Sequence, residues 1–367
     1  MVLGFRNLLK TRMLLKHMIQ LNKFTTKSMF LYLMGMLLVV SSCDKTPSNT
    51  PTTALPNDSL AHGIFICNEG NFQWGNASLS FYNTSTGTIQ EDVFKSVNKR
   101  GVGDVLQSIC IVDDKAFLVV NNSQKIEIID SKTIESKGVI TGFNSPRYFL
   151  SLGSNKAYVS DLYEKAVWIV NPAAQSITGK IAINSWTEEM INYGTKVFVC
   201  GRTSGFVYVI NTSTNLLEDS IAIGYGAQNI VLDAENKIWV LTVGKDALAA
   251  QLHKINPNTN ALEKSWSLPD GALPNKLICN STKSKLYFIN KDVFELEIHS
   301  TSLPTTALVQ ANGRTFYGLG FNPWQNEILI SDAKDYIQKS EVYRYDTLGQ
   351  LKGSFKTGMN TTYFNWK

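Results

Sequence analysis

A polar turn returns seven times along these 367 residues, and its spacing leaves few folds open. At each return an alternating apolar strand ends in Asn or Asp, a short polar turn follows, and a second strand begins. The copies read SFYNTSTGTI at Asn83, EIIDSKTIES at Asp130, WIVNPAAQSI at Asn171, YVINTSTNLL at Asn211 and HKINPNTNAL at Asn256. A degraded copy, LEIHSTSL, follows near His299, and YRYDTLGQLK closes the series at Asp346. The intervals run from 40 to 47 residues. A period of that length, made of short strands and tight turns, predicts a β-propeller with one four-stranded sheet per blade. Seven copies predict seven blades, an all-β ring over residues 63–367.

Aligned on the turn, each copy resolves into four strands. The third blade is the clearest, with PRYFLSL, KAYVSDL, AVWIVN and ITGKIAI in sequence. The recurring Asn or Asp sits between third and fourth strands, where its side chain can bond the backbone of its own turn. It is therefore read as structural. The first blade has its second to fourth strands (GIFICNEG, SLSFYN, TIQEDVF) and nothing ahead of them for an innermost strand. The C-terminal MNTTYFNWK has the pattern of that missing strand, so the ring is predicted to close by pairing it into blade one. Closure removes exposed sheet edges.

The formal charge of +5 belongs to one end of the chain. Residues 1–43 hold six Lys/Arg and no acid, which leaves 29 basic against 30 acidic groups in the rest. No basic stripe follows, and a nucleic-acid partner is set aside. The basic stretch leads into the apolar run Met29–Val40 and then Ser41, Ser42 and Cys43, the layout of a signal peptide over residues 1–42. The Val-Ser-Ser-Cys ending is similar to a bacterial lipobox, which makes Cys43 the lipidated residue. Residues 43–62, rich in Pro and Thr, then form a flexible tether. Four further cysteines, Cys67, Cys110, Cys200 and Cys279, lie in apolar strand patterns and read as buried thiols. A Cys67–Cys110 bridge between neighbouring blades is the alternative.

In a propeller the first turn of each innermost strand, and the loop between second and third strands, open on one face around the channel. The inner strands place Gln107, Arg147, Glu188, Gln228, Asn275 and Tyr317 there, and the loops leading in add Trp186, Tyr225 and Arg314. The second-to-third loops supply Asn68, Glu69, Asn71, Phe72, Trp74, Asn121, Asn122, Asp161, Tyr163, Arg202, Lys245 and Asp246. Amide and aromatic groups dominate and the charges are mixed, which suits a large amide-bearing or sugar-like ligand more than a simple ion.

Nothing in the sequence points to catalysis. After residue 43 the histidines are His62, His253 and His299, none paired at metal-ligand spacing, and there is no nucleophile elbow or P-loop. Metal-dependent propeller lactonases use Glu, Asn and Asp around a central cation, and Glu69, Asn121 and Asp161 offer such a trio. The expectation is a non-enzymatic protein without cofactor.

The repeat and the lipobox together resemble the YncE-like seven-bladed propellers. The strings NEGNFQWGNASLSFYN (Asn68–Asn83), GDVLQSI (Gly103–Ile109), VVNNSQKIEIID (Val119–Asp130), SPRYF (Ser145–Phe149) and AYVSDLY (Ala157–Tyr163) are similar to a Bacteroidetes group of surface lipoproteins that includes the cobalamin-binding BtuG. The resemblance implies a propeller tethered to the outer face of the outer membrane. It implies capture of cobalamin or a related corrinoid and delivery to a TonB-dependent transporter. The rival readings are a protein-interaction propeller at the cell surface and a propeller lactonase or lyase.

Overall fold

The computed structural model describes residues 62–367. Residues 1–61, which carry the predicted signal segment, Cys43 and nearly all of the tether, lie outside the described residues. Seven antiparallel sheets are formed. The innermost strands of successive sheets pack on one another, and the last packs on the first, so the ring closes. As predicted, the seal is the C-terminal strand Thr361–Trp366, which pairs with Gly63–Asn68 in the register Ile64↔Trp366, Phe65↔Asn365 and Ile66↔Phe364. Among the described residues no helix is long and apolar enough to cross a membrane.

The middle strands are apolar on both faces because each blade is sandwiched between two others. Alternate residues of a strand serve opposite neighbours. In blade one, Phe65 and Cys67 join a cluster with Ile109, Ala116 and Leu118 of blade two. Ile64 and Ile66, one position over, join Leu329 and Val342 of blade seven. Seven such clusters occur among the described residues, each shared by two adjacent blades. Each fully buried Ile or Phe there contributes roughly 1.5–3 kcal/mol of transfer free energy.

The repeating turns behave as read from the sequence. Oδ1 of Asn83 accepts from the Ser85 and Thr86 amides, Asp130 from Lys132 and Thr133, Asn211 from Ser213 and Thr214, and Asp346 from Leu348 and Gln350. The degraded copy departs from the four-strand expectation. Blade six has three strands, ending at Asp292–Glu297. At His299 no Asn or Asp caps a turn. The Ser300 amide instead bonds the Glu297 carbonyl at 2.9 Å, and the chain leaves the sheet through Pro304, which lacks a donor. It returns only to form the single bridge Val293↔Val309. Among the described residues the four cysteines are free thiols, with Cys67 and Cys200 fully buried, and Cys67 and Cys110 are not bridged.

Candidate functional site at the channel mouth

The inner strands do not run straight into the channel. Near its upper end the pairing register of the innermost strand slips in blades one to five and in seven. The residues left over by these slips are Gln107, Arg147 and Tyr148, Glu188 and Glu189, Gln228, Tyr317 and Gly318, and Thr362. A bulge turns consecutive side chains away from strict alternation and re-aims them. In blade six the same place is irregular backbone, Asn275 and Lys276, held by the Asn275 amide on the Ile289 carbonyl and the Ile289 amide on the Lys276 carbonyl. Except for Glu189 and Gly318, these groups line a cavity of about 100 Å³ on the axis.

The cavity is lined by charged and polar groups, one ion pair among them. Arg147 grips Glu188 with Nε to Oε2 at 2.9 Å and Nη2 to Oε1 at 3.3 Å, and its Nη1 donates to Gln107 Oε1. Burial opposes the Arg147 charge, but Glu188 more than restores it, and the guanidinium is held above its ordinary range. Tyr317 donates its hydroxyl to Glu69 at 2.7 Å; burial and then the Glu69 charge push the phenol far up. Glu189 accepts from Asn229 Nδ2 at 2.8 Å and from the Ile230 amide at 3.1 Å. Burial pushes its carboxyl up to about 7, against the pull of Lys276. Lys276 donates to Thr362 Oγ1 at 3.1 Å, and burial lowers its ammonium against the opposing pull of Glu189 and Glu69.

Around this polar mouth stands an apolar rim. Trp74 is 77% exposed and Phe72 61%, in the loop between second and third strands of blade one. Tyr163 is also exposed, its ring edge-on to Trp186 at 5.3 Å. Lys245 lies over the Tyr225 ring at 5.1 Å, and Arg202 borders Gly226. Asn71 Nδ2 bonds the Tyr336 carbonyl at 2.7 Å, which ties the loops of blades one and seven. Leu248, Leu273, Tyr336 and Ile337 complete the exposed rim.

The sequence-predicted set thus divides. Glu69, Gln107, Arg147, Glu188, Gln228, Asn275 and Tyr317 meet in the cavity. Asn71, Phe72, Trp74, Tyr163, Trp186, Arg202 and Tyr225 belong to the rim. Four others are committed to hydrogen bonds that hold the structure. Asn68 is fully buried, donating to Ser80 Oγ and accepting from Thr357 and Thr361 hydroxyls. Asn121 donates to Ser145 Oγ and the Pro146 carbonyl. Asn122 bonds Asp104 at 2.6 Å. Asp161 accepts from the Asn144, Ser145, Tyr163 and Glu164 amides and from Trp168 Nε1. With Asn121 and Asp161 so occupied, Glu69 has no partners for the lactonase-like trio. Among the described residues no three His, Cys, Asp or Glu side chains gather as a metal set.

Sequence reasoning missed Tyr148, Glu189, Asn229, Lys276 and Thr362. Tyr148 sits beside the assigned Arg147, and strict alternation sends such a neighbour to the opposite face; the bulge overrules it. Tyr336 and Ile337 had a signal, since they occupy in blade seven the loop position already assigned in blades one to five. The structure also opens a larger apolar groove of about 410 Å³ between Leu268, Phe288, Phe294 and Leu303, beside the short blade six.

Residues 62–365 match the family described as Domain of unknown function (DUF5074). The chain belongs to the DUF5074 family. No curated protein matches this DUF5074 chain. Solved structures share its architecture at low identity. A quinonprotein alcohol dehydrogenase-like protein from Bacteroides thetaiotaomicron is 13% identical, with TM-score 0.65, over 83% of this chain and 78% of its own. The periplasmic gluconolactonase of Pseudomonas aeruginosa is 11% identical, TM-score 0.63, over 83% and 98%. A candidate 6-phosphogluconolactonase from Bacteroides uniformis is 10% identical, TM-score 0.67, over 83% and 99%. At such identities the likeness carries the propeller fold and nothing finer, so this DUF5074 member is a propeller of unresolved function.

Proposed function

We propose that this propeller is a non-enzymatic capture protein that holds a large amide-bearing ligand on its upper face. A corrinoid, cobalamin or a relative, is the specific candidate. The supporting observation is the layout of that face, an exposed apolar rim around an axial mouth of Arg, Lys, Gln, Asn and Glu groups. A flat macrocycle fringed with carboxamide arms matches both parts. Its edges cover the rim, where apolar area contributes about 25 cal/mol per Å² removed from water, and its arms meet the polar groups. A single hydrogen bond adds only about 0.5–1.5 kcal/mol net, so tight capture requires many contacts at once.

In this reading Cys43 carries a lipid, the segment after it is a tether, and the domain stands at the outer-membrane surface beside a TonB-dependent transporter that receives the ligand. The resemblance of the blade-one to blade-three strings to the BtuG group supports this arrangement. The lactonase names among the structural neighbours support an enzyme only by fold, while Asn121 and Asp161 are spent on structure. The exposed rim also suits a protein partner, the second reading.

Calorimetric titration of the purified protein with cyanocobalamin tests the proposal. One-to-one binding at micromolar affinity or tighter is expected, weakened at least tenfold by Trp74→Ala. Silence at 100 μM, roughly a hundredfold above that affinity, overturns corrinoid capture in favour of the protein-partner reading.

A further inference from the structure

The short blade six leaves one side chain without the neighbour that its counterparts have. In blades two to five and in blade seven, the residue three before the end of the third strand is paired with a fourth-strand residue. Glu127 is opposite Val139, Trp168 opposite Lys180, Tyr208 opposite Ser220, His253 opposite Ser265 and Tyr343 opposite Ser354. In blade six that residue is Phe294 of Asp292–Glu297, and the sheet has no fourth strand to stand opposite it. Phe294 stacks on Phe288, with ring centroids 5.5 Å apart and 16° between the planes.

Both rings line the groove of about 410 Å³. Leu268 and Pro269 join them from the chain leaving blade five, and Leu303 and Pro304 from the segment that stands in for the missing strand. Small-molecule sites span roughly 300–1,000 Å³. The groove falls within that range, and the axial cavity of about 100 Å³ does not. An open, contiguous apolar hollow of this kind marks a binding groove. Its lining contains no Asp, Glu, Lys, Arg or His. A charged ligand would therefore shed its water there with no opposite charge in return, which is costly. The phenyl pair favours a ring as guest, because aromatic contacts add to what the covered area alone supplies.

We propose that this groove is a binding site for a small uncharged aromatic molecule, held between the blade-five exit and the Phe288–Phe294 pair. It shares no lining residue with the axial cavity and does not rest on the capture reading. Asn290, also in its lining, accepts from the Leu273 amide at 3.0 Å, so the groove adjoins the rim without belonging to the mouth. The lost turn cap at His299 and the lost strand after it thus make room for a ligand.

The test uses a matched pair of probes, 4-bromobenzyl alcohol and 4-bromobenzoate, which differ in charge. Crystals of the protein are soaked in each, and anomalous scattering locates the bromine. Saturation-transfer NMR follows the same probes in solution, with wild type and with Leu303→Trp, whose larger side chain fills the groove. The neutral probe is expected between Leu268 and Phe294, and the carboxylate absent from that position. The solution signal of the neutral probe is expected to fall at least fivefold in Leu303→Trp. No bromine in the groove, or equal occupancy by both probes, overturns the proposal. So does a solution signal unchanged by a folded Leu303→Trp, which would mean binding at crystal concentration only. If the melting profile shows that Leu303→Trp folds poorly, intermolecular NOEs between the neutral probe and the Leu268 methyls of wild type decide instead, and their absence overturns the site.

Discussion

Two buried side chains make this protein's stability depend on pH in opposite senses. Glu189 titrates near 7 in the folded protein against an ordinary value of 4.5, because burial disfavours its charge. Between those values the folded state keeps a proton that the unfolded chain has released, so stability falls as pH climbs through the window and is level above it. His253 runs the other way. It is walled into blade five between Thr242 and Ser265 hydroxyls, and burial pushes it from 6.5 down to about 4. There the unfolded chain holds the extra proton, and stability rises with pH from about 4 to 6.5. The two slopes overlap, so the wild-type profile alone is uninformative. The melting temperature of wild type relative to Glu189→Gln is expected to fall between pH 4.5 and 7.5. A flat difference would show that Glu189 keeps an ordinary acidity in the folded ring.

Among elements, the outer strands show how little sequence a blade edge needs. In Leu216–Ala222 every residue is exposed except Ile221, and Ser176–Ala182 has the single buried residue Ile181. Ile221→Ala should cost about 2–5 kcal/mol in chemical denaturation, whereas Leu217→Ala in the same strand should stay within about 0.5 kcal/mol. Equal costs would mean that the strand is held by its backbone alone. These elements were legible in the sequence wherever a local rule decides them: period-two apolar runs, and an Asn or Asp that closes its own turn. The blade-six edge was less so, because the spacing around His299 persists after the side chain that could cap the turn has gone. The channel was legible by position and not by residue. Gln107, Arg147 and Gln228 follow from where an inner strand begins. The pair Arg147–Tyr148 shares the cavity only because of a bulge set by pairing across the sheet, which no single strand encodes. Asn68 and Asp161 look like loop-tip ligands in a list of polar residues, and only their hydrogen-bond partners reveal them as struts.

At the scale of the whole molecule, the ring depends on its last strand. Thr361 reaches into blade one through Asn68, and its carbonyl accepts from Ser331 of blade seven at 2.6 Å. Removal of Thr361–Lys367 should therefore lower the melting temperature of the entire disc and not fray one end, with a single broadened or lost transition in calorimetry. Retention of the full-length melting temperature would mean that blade one is stable without its inner strand.

The sharing of every apolar cluster between two blades also bears on how the seven copies could grow apart. A turn answers only to its own backbone, so the same Asn or Asp serves in any copy and the motif stays readable. A core side chain answers to the copy next door. Phe65 cannot change size without Leu118 or a neighbour giving way, while Ile64 one residue earlier is bound by the same bargain with Leu329 on the other side. Divergence in such a ring proceeds by adjacent pairs, and it leaves a chain whose punctuation still rhymes after its vocabulary has drifted.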